Sequence, residues 1–300
     1  MIGDSLALAS AFQFALANIA IAKAARKRSA DNGVLLSIVA TAALSTLILL
    51  LHPKQPFPES QVFFGAVGWF AASGILATVW GRLTLFKAVR YTGVVRATTV
   101  RRLTPFFSAL LGWALLSESI SGFGLLGMAL MGASFALIYL DNNRKLENTE
   151  VFADADIQRG YMFGLLCAVA YAFSYIVRKL GLETVPDASL GALVGSVAAL
   201  MYYLLGCLLS SKFRSDLRAL LTTPDPWQLF AAVSISAGQI SQFMALNYIG
   251  VGRLAIINSA EIFLSSYLAV IIFKTERWPS QLIALATALA TAGIVLVATG

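Results

Sequence analysis

The chain has 300 residues, 58% of them hydrophobic and only 12% charged, with a mean hydropathy of +0.78. Because a soluble domain typically carries about a quarter charged residues, this composition excludes a soluble globular protein and predicts an all-α membrane protein. The net charge of +7 does not indicate nucleic-acid binding, since the basic residues lie between apolar stretches rather than on one soluble face.

Apolar stretches of about 20 residues, the length that spans a bilayer as a helix, recur along the whole chain and predict ten transmembrane helices. Polar, turn-forming breaks such as 52–56, 141–145 and 223–226 separate them, and no room remains for a soluble domain. The predicted spans are 4–22, 33–51, 61–85, 93–116, 121–140, 160–181, 188–210, 226–247, 252–273 and 278–299.

The two halves of the chain are related in sequence. Residues 88–96 match residues 245–253 at five of nine positions, at an offset of 157. Each half holds five predicted spans, and because five is odd the second half must enter the membrane inverted relative to the first. The sequence therefore predicts two inverted five-helix repeats, residues 1–140 and 160–300, joined by a cytoplasmic linker at 141–159.

The basic residues predict the orientation. With the N-terminus outside, the inward-facing connections carry fifteen Lys and Arg residues, and the outward-facing ones carry four, including Arg178 and Lys179. Such an excess marks the cytoplasmic side. We expect a multi-pass protein of the cell inner (plasma) membrane with both termini on the outer, periplasmic side.

One motif resembles a known family. The segment from Pro105 to Trp113, followed by Glu118, together with the two five-helix repeats, is similar to the EamA-type branch of the drug/metabolite transporter superfamily. In the second half the segment from Phe263 to Glu276 keeps the spacing but has no proline. The resemblance covers essentially the whole chain and implies a ten-helix transporter fold, with Glu118 and Glu276 as structural caps at span ends.

The first predicted span departs from one branch of that superfamily. It carries Gln13 and Asn18 where the small multidrug pumps have a membrane-embedded Glu. This difference argues against proton-driven efflux of cations.

Charged residues inside predicted spans are the strongest indication of a site, because each costs about 2.5–3.5 kcal/mol at a helix centre on insertion scales. Three arginines lie there, Arg82, Arg101 and Arg102, while Glu261 is the one acid deep in a span. Arg101 and Glu261 lie at similar depths, so an ion pair between the two halves is feasible.

These arginines have two interpretations. In the first they line a cavity and bind an anionic group, since guanidinium groups match carboxylate and phosphate oxygens. In the second the fourth span begins near Leu103, and Arg101 and Arg102 reach to the cytoplasmic interface, as Arg82 would from the end of its own helix.

Uncharged polar residues in the spans are predicted companions of this site. Arg82 and Gln239 are equivalent in the repeats, and Gln239 shares a helix face with Gln242. A lone Asn or Gln more often bonds a neighbouring helix, and Tyr171 and Tyr175 are better interpreted as core than as contacts of a substrate. The predicted substrate-binding residues are Arg82, Arg101, Arg102, Gln13, Asn18, Tyr175, Gln239, Gln242 and Asn258, with Glu261 as a candidate for proton coupling.

Other features limit the functional classes. The two cysteines, Cys167 and Cys207, form no disulfide framework. His52 is the single histidine of the sequence, and these residues do not have the spacing of metal ligands. We therefore expect no metal and no cofactor. An intramembrane enzyme would need a metal cluster, a catalytic histidine or paired deep carboxylates, and the sequence has none of these. A non-transporting scaffold would not need polar residues buried along several spans.

Two ladders of small residues at four-residue spacing predict close helix packing, within the bundle or across a homodimer. The first ladder is Gly191, Gly195 and Ala199, and the second is Ala284, Ala288 and Ala292.

Together these features predict a secondary transporter that works by alternating access within the lipid bilayer. The expected substrate is a small organic anion or zwitterion, such as an amino acid. The alternatives are an exporter of amphiphilic or aromatic compounds and a flippase for a lipid-linked anion.

Overall fold

The computed structural model describes residues 1–25, 33–51, 60–146, 154–209, 225–271 and 281–299, together with residues 211 and 214. Within these ranges every regular element is helical, as the composition predicts. The helices are α1 (Ile2–Ala25), α2 (Gly33–Leu51), α3 (Ser60–Gly74), a π-helical segment (Ile75–Gly81), α4 (Arg82–Arg101), α5 (Thr104–Leu116), α6 (Gly122–Leu146), α7 (Asp154–Thr184), α8 (Ala188–Leu209), α9 (Pro226–Leu246), α10 (Val251–Asn258), α11 (Glu261–Ile271) and α12 (Gln281–Thr299).

The helices suit a membrane by length, composition and exposure. Seven of the described helical stretches are long and apolar enough to cross a bilayer, and three shorter ones within α5, α6 and α12 are also apolar. Their outer faces carry large apolar side chains, such as Trp80 and Trp113, which are 63% and 59% exposed. Water would make that exposure unfavourable, whereas lipid chains accommodate it. The chain is therefore a multi-pass membrane protein.

Both halves contain a helix that is broken near its middle. α4 ends at Arg101 and α5 begins at Thr104, while α10 ends at Asn258 and α11 begins at Glu261. Each pair of equivalent positions is separated by the same offset of 157 as the sequence repeat. The break is therefore a shared feature of the two repeats.

Different local chemistry breaks the two helices. In the first half Pro105, which has no backbone N–H, lies in the first turn of α5. The Thr104 hydroxyl donates to the Arg101 carbonyl at 2.7 Å. In the second half the Ser259 hydroxyl donates to the Ile256 carbonyl at 2.5 Å. A side-chain bond of this kind competes with the backbone ladder. A second proline is not needed to interrupt the helix.

The direction of the chain reverses within α4, as its contacts with α7 show. The last carbonyl of the π-helical segment accepts a hydrogen bond from Cys167 at 3.1 Å. Tyr91 then stacks on Phe163, one turn earlier on α7, with ring centroids 5.8 Å apart. Arg101 lies over the ring of Tyr171, which is further along α7. The reversal lies close to the predicted connection between the third and fourth spans.

The two halves share one packed core. Phe70 from α3 and Phe243 from α9 are fully buried and meet edge to face, with ring centroids 6.1 Å apart. On the other side of the bundle Gly127 of α6 and Gly293 of α12 lie so close that a Cβ on either would contact the carbonyl oxygen of the other. Small residues permit this approach between helices without a hydrophobic driving force from water.

The two ladders of small residues have different surroundings. Gly191 lies against the ring of Phe243, and Gly195 lies against the backbone of Gly74, so the first ladder packs within the bundle. In the second ladder the side chains of Ala284, Ala288 and Ala292 are exposed on the outer face of α12.

Candidate functional site

A cavity of about 420 Å³ lies between the two repeats, at the level of the helix breaks. This volume falls in the lower part of the range of about 300–1,000 Å³ that is usual for small-molecule sites. Nearly all polar residues that the sequence singles out lie in its wall. The polar and charged lining residues are Asn18, Ser37, Thr78, Arg82, Arg101, Arg102, Thr104, Tyr171, Tyr175, Arg178, Gln239, Gln242, Asn258, Ser259 and Glu261.

The charge of the cavity wall is strongly positive. Four of the lining residues are arginines, and Glu261 is the one acid among them. The first turns of α5 and α11 also line the cavity, and helix N-termini carry partial positive charge. The wall therefore favours negatively charged groups.

Arg101 and Glu261 are brought together from the two repeats. Arg101 Nη2 lies 3.6 Å from Glu261 Oε1, and the two side chains are 33% and 18% exposed. Arg101 ends α4 and Glu261 begins α11, so each charge also lies at the helix end that stabilises it. The pair connects the two helix breaks across the interface between the halves.

Two polar atoms beside this pair have no protein partner. Nη1 of Arg102 and Oδ1 of Asn258 are buried and make no hydrogen bond to any described residue. Both residues line the cavity. Buried polar groups usually have a partner because an unmade hydrogen bond is costly, so both side chains are suited to turn towards a ligand in the cavity.

Arg82 and Tyr171 form the wall nearest the π-helical segment. The Arg82 guanidinium lies within hydrogen-bonding reach of the Tyr171 hydroxyl. The side chains of both residues line the cavity.

Arg178 corrects the sequence-based assignment. Counted with the outward-facing connections, it is in fact 2% exposed and lies in the cavity wall on α7. Its Nη1 donates to Gln242 Oε1 at 2.6 Å, and its guanidinium carbon lies 4.2 Å from the ring centroid of Phe243. No described carboxylate lies within salt-bridge distance of it.

A signal for Arg178 is present in the sequence. It follows Tyr175 by three residues and Tyr171 by seven, so all three share one face of α7. Lys179, counted with it, is half-buried, and its Nζ donates to the Leu246 carbonyl at 2.7 Å. Neither residue is a loop residue.

Gln13 is not one of the lining residues. Phe14, Ala17, Asn18 and Ile21 of α1 line the cavity with helical spacing, whereas Gln13 lies at the edge of this face, with its Cβ near Gly238 of α9. Its Cβ therefore lies where α1 packs against α9.

One end of the cavity is closed by polar contacts between the halves. Arg253 Nε donates to Asp4 Oδ1 at 2.8 Å, which ties the start of α1 to α10. Glu118 accepts hydrogen bonds from the backbone N–H groups of Val251 and Gly252, at 2.6 and 3.3 Å. This is the end that the basic-residue distribution predicts to be outside.

Glu118 acts as a cap supplied by the other repeat. Ser117, at φ 54°, turns the chain after α5 so that the carboxylate faces the first turn of α10. A Cβ on Gly250 would lie 2.8 Å from the carboxyl carbon of Glu118, so a larger residue there would require the carboxylate to shift. The predicted role of Glu118 as a structural cap is therefore observed, while Glu276 lies outside the described residues.

The other end of the cavity is its mouth. Asn18 and Ile21, near the end of α1, line it and are exposed. Phe86, on the same side, is 49% exposed. The mouth is therefore on the side that the sequence predicts to be cytoplasmic.

The described part of the chain contains no cluster of three or more His, Cys, Asp or Glu residues that could hold a metal ion. Cys167 is buried and Cys207 partly buried, and both are free thiols. The chemistry of the cavity is thus that of guanidinium, amide, hydroxyl and aromatic groups.

Comparisons with known proteins agree with this architecture. Residues 1–140 and residues 158–299 match the EamA-like transporter family. A crystal structure of another protein shares the fold, with a TM-score of 0.64 and 19% identity over 97% of this chain and 96% of that chain. No curated protein matches the sequence.

Proposed function

The chain belongs to the EamA-like transporter family, and on that premise we propose that it is a secondary transporter for a small organic anion or zwitterion. The protein is a membrane transporter of the drug/metabolite superfamily. Its substrate would bind in the cavity between the repeats and cross the bilayer by alternating access.

The charge of the cavity carries this proposal. Four arginines face one acid, and that acid is already within 4 Å of Arg101. Buried cations without counter-ions are costly in a membrane, and a bound anion offsets that cost. An electropositive cavity of metabolite size would not select a cationic drug.

Alternating access is supported by the unequal ends of the cavity. The end near Asp4 and Glu118 is joined by hydrogen bonds across the repeats, whereas the end near Asn18 is exposed. Inverted repeats can exchange such arrangements by rocking about a central site. We place the mouth on the cytoplasmic side, following the basic-residue distribution.

We further propose ten membrane crossings with both termini outside. Three apolar stretches shorter than the usual span, in α5, α6 and α12, would complete the seven longer ones. α5 needs no greater length, because the part of α4 after the chain reversal would form one interrupted crossing together with α5. The repeats would then be residues 1–140 and 160–300, with 141–159 as the cytoplasmic linker.

The experiment is anion uptake into proteoliposomes by an Arg102→Ala variant. Arg102 lines the cavity with an unpaired donor, so its removal should weaken uptake about tenfold or more, as expected for a hydrogen bond to a charged group. Arg159→Ala is the matched control, since Arg159 is 65% exposed and lies away from the cavity. Equal uptake by both variants would count against anion binding at this site.

The apolar part of the lining favours a second candidate. Phe14, Ile21, Val34, Leu85 and Phe86 line the side of the cavity towards its mouth. These residues suit an exporter of amphiphilic or aromatic compounds, or a flippase for a lipid-linked anion. Competition between aromatic compounds and simple carboxylates for binding to the purified protein distinguishes this candidate from the first.

A further inference from the structure

Arg178 is a buried cation whose described neighbours carry no negative charge. Gln242 Oε1 accepts from its Nη1 at 2.6 Å, and the rings of Phe243 and Tyr175 lie 4.2 and 5.5 Å from its guanidinium carbon. Its Nε has no hydrogen-bond partner among the described residues. Aromatic rings and one amide oxygen compensate only part of a full charge.

A structural role for Arg178 does not require its charge. A link between α7 and α9 could be made by a neutral amide, at a much lower desolvation cost. The amide of Gln242 is itself held in place, because its Nε2 donates to the Tyr175 hydroxyl at 3.1 Å. The arrangement fixes one side of the guanidinium and leaves its Nε donor unused, at a position that lines the cavity.

A second uncompensated cation lies on the opposite repeat. Arg102 has an unpaired Nη1, and the nearby Glu261 is within ion-pair distance of Arg101. Arg101 lies over Tyr171, whereas Arg178 lies over Tyr175, the next turn of α7. One helical turn is about 5.4 Å, so Arg101, the chain neighbour of Arg102, contacts a different level of α7 from Arg178.

We propose that the transported anion is a compact dianion. One of its two negative groups binds at Arg102 and the other at Arg178. The proposal rests on the proposed transport function and specifies its substrate class. α,ω-Dicarboxylates and phosphorylated carboxylates have this chemistry. By joining a residue of the first repeat to one of the second, the dianion would clamp the two halves around itself.

The same charges disfavour a zwitterion. An ammonium group would need a carboxylate partner, and the single acid of the cavity wall is paired with Arg101. Three lining arginines are not paired with Glu261, namely Arg82, Arg102 and Arg178. A monocarboxylate would neutralise only one of the two that have an unbonded donor, Arg102 and Arg178, and leave the other buried without a counter-ion. A dianion satisfies both.

The test measures binding of a series of saturated α,ω-dicarboxylates with three to six carbons to the purified full-length protein, each beside the monocarboxylate of equal length. We expect one dicarboxylate to bind at least tenfold more tightly than its monocarboxylate partner. Arg178→Gln should remove this preference by lowering dicarboxylate affinity to the monocarboxylate level. Arg178→Lys should keep part of the preference, because it keeps the charge.

Arg159→Gln is the control for loss of an arginine from α7, and should behave as wild type. Counterflow in proteoliposomes then separates the two proposals. Transport of monocarboxylates or amino acids with no preference for dianions would overturn the dianion proposal and leave anion transport standing. If no carboxylate binds and only neutral aromatic compounds do, both proposals fail. If Arg178→Gln does not fold, the double variant Arg178→Lys/Gln242→Leu takes its place. An unchanged preference of that variant for dicarboxylates over monocarboxylates would overturn the role of the Arg178 subsite.

Discussion

At the scale of single residues, the pair between Arg101 and Glu261 would connect substrate binding to proton movement in the proposed transporter. Glu261 is the one acid in the described cavity wall and lies 3.6 Å from Arg101. A substrate anion bound at the neighbouring Arg102 would bring a second negative charge close to this carboxylate, and two adjacent negative charges are costly in a membrane. Protonation of Glu261 would relieve that cost, which makes it the candidate for coupling.

Glu261→Gln tests this coupling. The amide keeps the shape of the side chain but cannot release a proton, so a pH gradient should no longer drive accumulation of substrate, while exchange at equal pH should continue. Uptake into proteoliposomes with and without an imposed gradient measures both. Glu183→Gln, an exposed carboxylate at the end of α7, serves as the control. Undiminished accumulation by Glu261→Gln would exclude Glu261 as the coupling group.

The residues found by sequence reasoning and those it missed differ in one respect. Arg82, Arg101 and Arg102 stand out because they interrupt apolar stretches, and the cavity contains all three. Arg178 lies three residues from the end of its predicted span, where hydropathy alone places a cation at the interface. The structure extends α7 to Thr184 and turns the side chain inward. Depth can be predicted from a sequence, but the direction of a side chain near a span end depends on neighbouring helices.

At the scale of elements, both local chemistry and tertiary contacts determine where the two equivalent helices are broken. Pro105 makes the first break predictable from sequence. The second break has no proline, and there the Ser259 hydroxyl bonds to the backbone. The helix before this break, α10, is capped at its first turn by Glu118 of the other repeat. Such a cap cannot be assigned from local sequence, because Glu118 and Val251 are brought together only by the fold.

Glu118→Gln weakens this cap in a measurable way. Loss of the charged acceptor should destabilise the start of α10 by on the order of 1–2 kcal/mol and lower the thermal unfolding midpoint. In a variant without native cysteines, a cysteine at Ala255, which lines the cavity, should also be labelled faster from the outer side. Glu183→Gln is again the matched control. Unchanged labelling and unchanged stability would mean that Glu118 does not hold the outer end closed.

At the scale of the whole molecule, the sequence repeat predicts the two-repeat architecture as well as the helices. The all-helical class and the two-repeat architecture agree with the fold and with the family matched by each half. The connection between the third and fourth spans is less distinct than predicted, because the chain reverses direction within residues that remain helical. Hydropathy identifies apolar lengths, whereas the position of a tight reversal depends on packing against α7.

The proposed orientation predicts opposite labelling at the two ends of α1. In a protein without native cysteines, Ile2→Cys should react with a membrane-impermeant reagent from outside. Ala30→Cys, in a basic segment outside the described residues, should react only after the membrane is opened. Labelling of residue 30 but not of residue 2 in intact cells would reverse the orientation and place the mouth of the cavity outside.

If the protein works by the proposed alternating access, the excess of arginine in the cavity should make it sensitive to voltage. Four guanidiniums and one carboxylate leave a net charge of +3 on the lining residues. Each elementary charge that crosses a full potential of 100 mV contributes about 2.3 kcal/mol. An inside-negative potential therefore draws the empty carrier towards the state joined to the cytoplasm. A bound dianion would reduce the charge to +1, so loading by substrate would release the carrier from the electric field that holds it when empty.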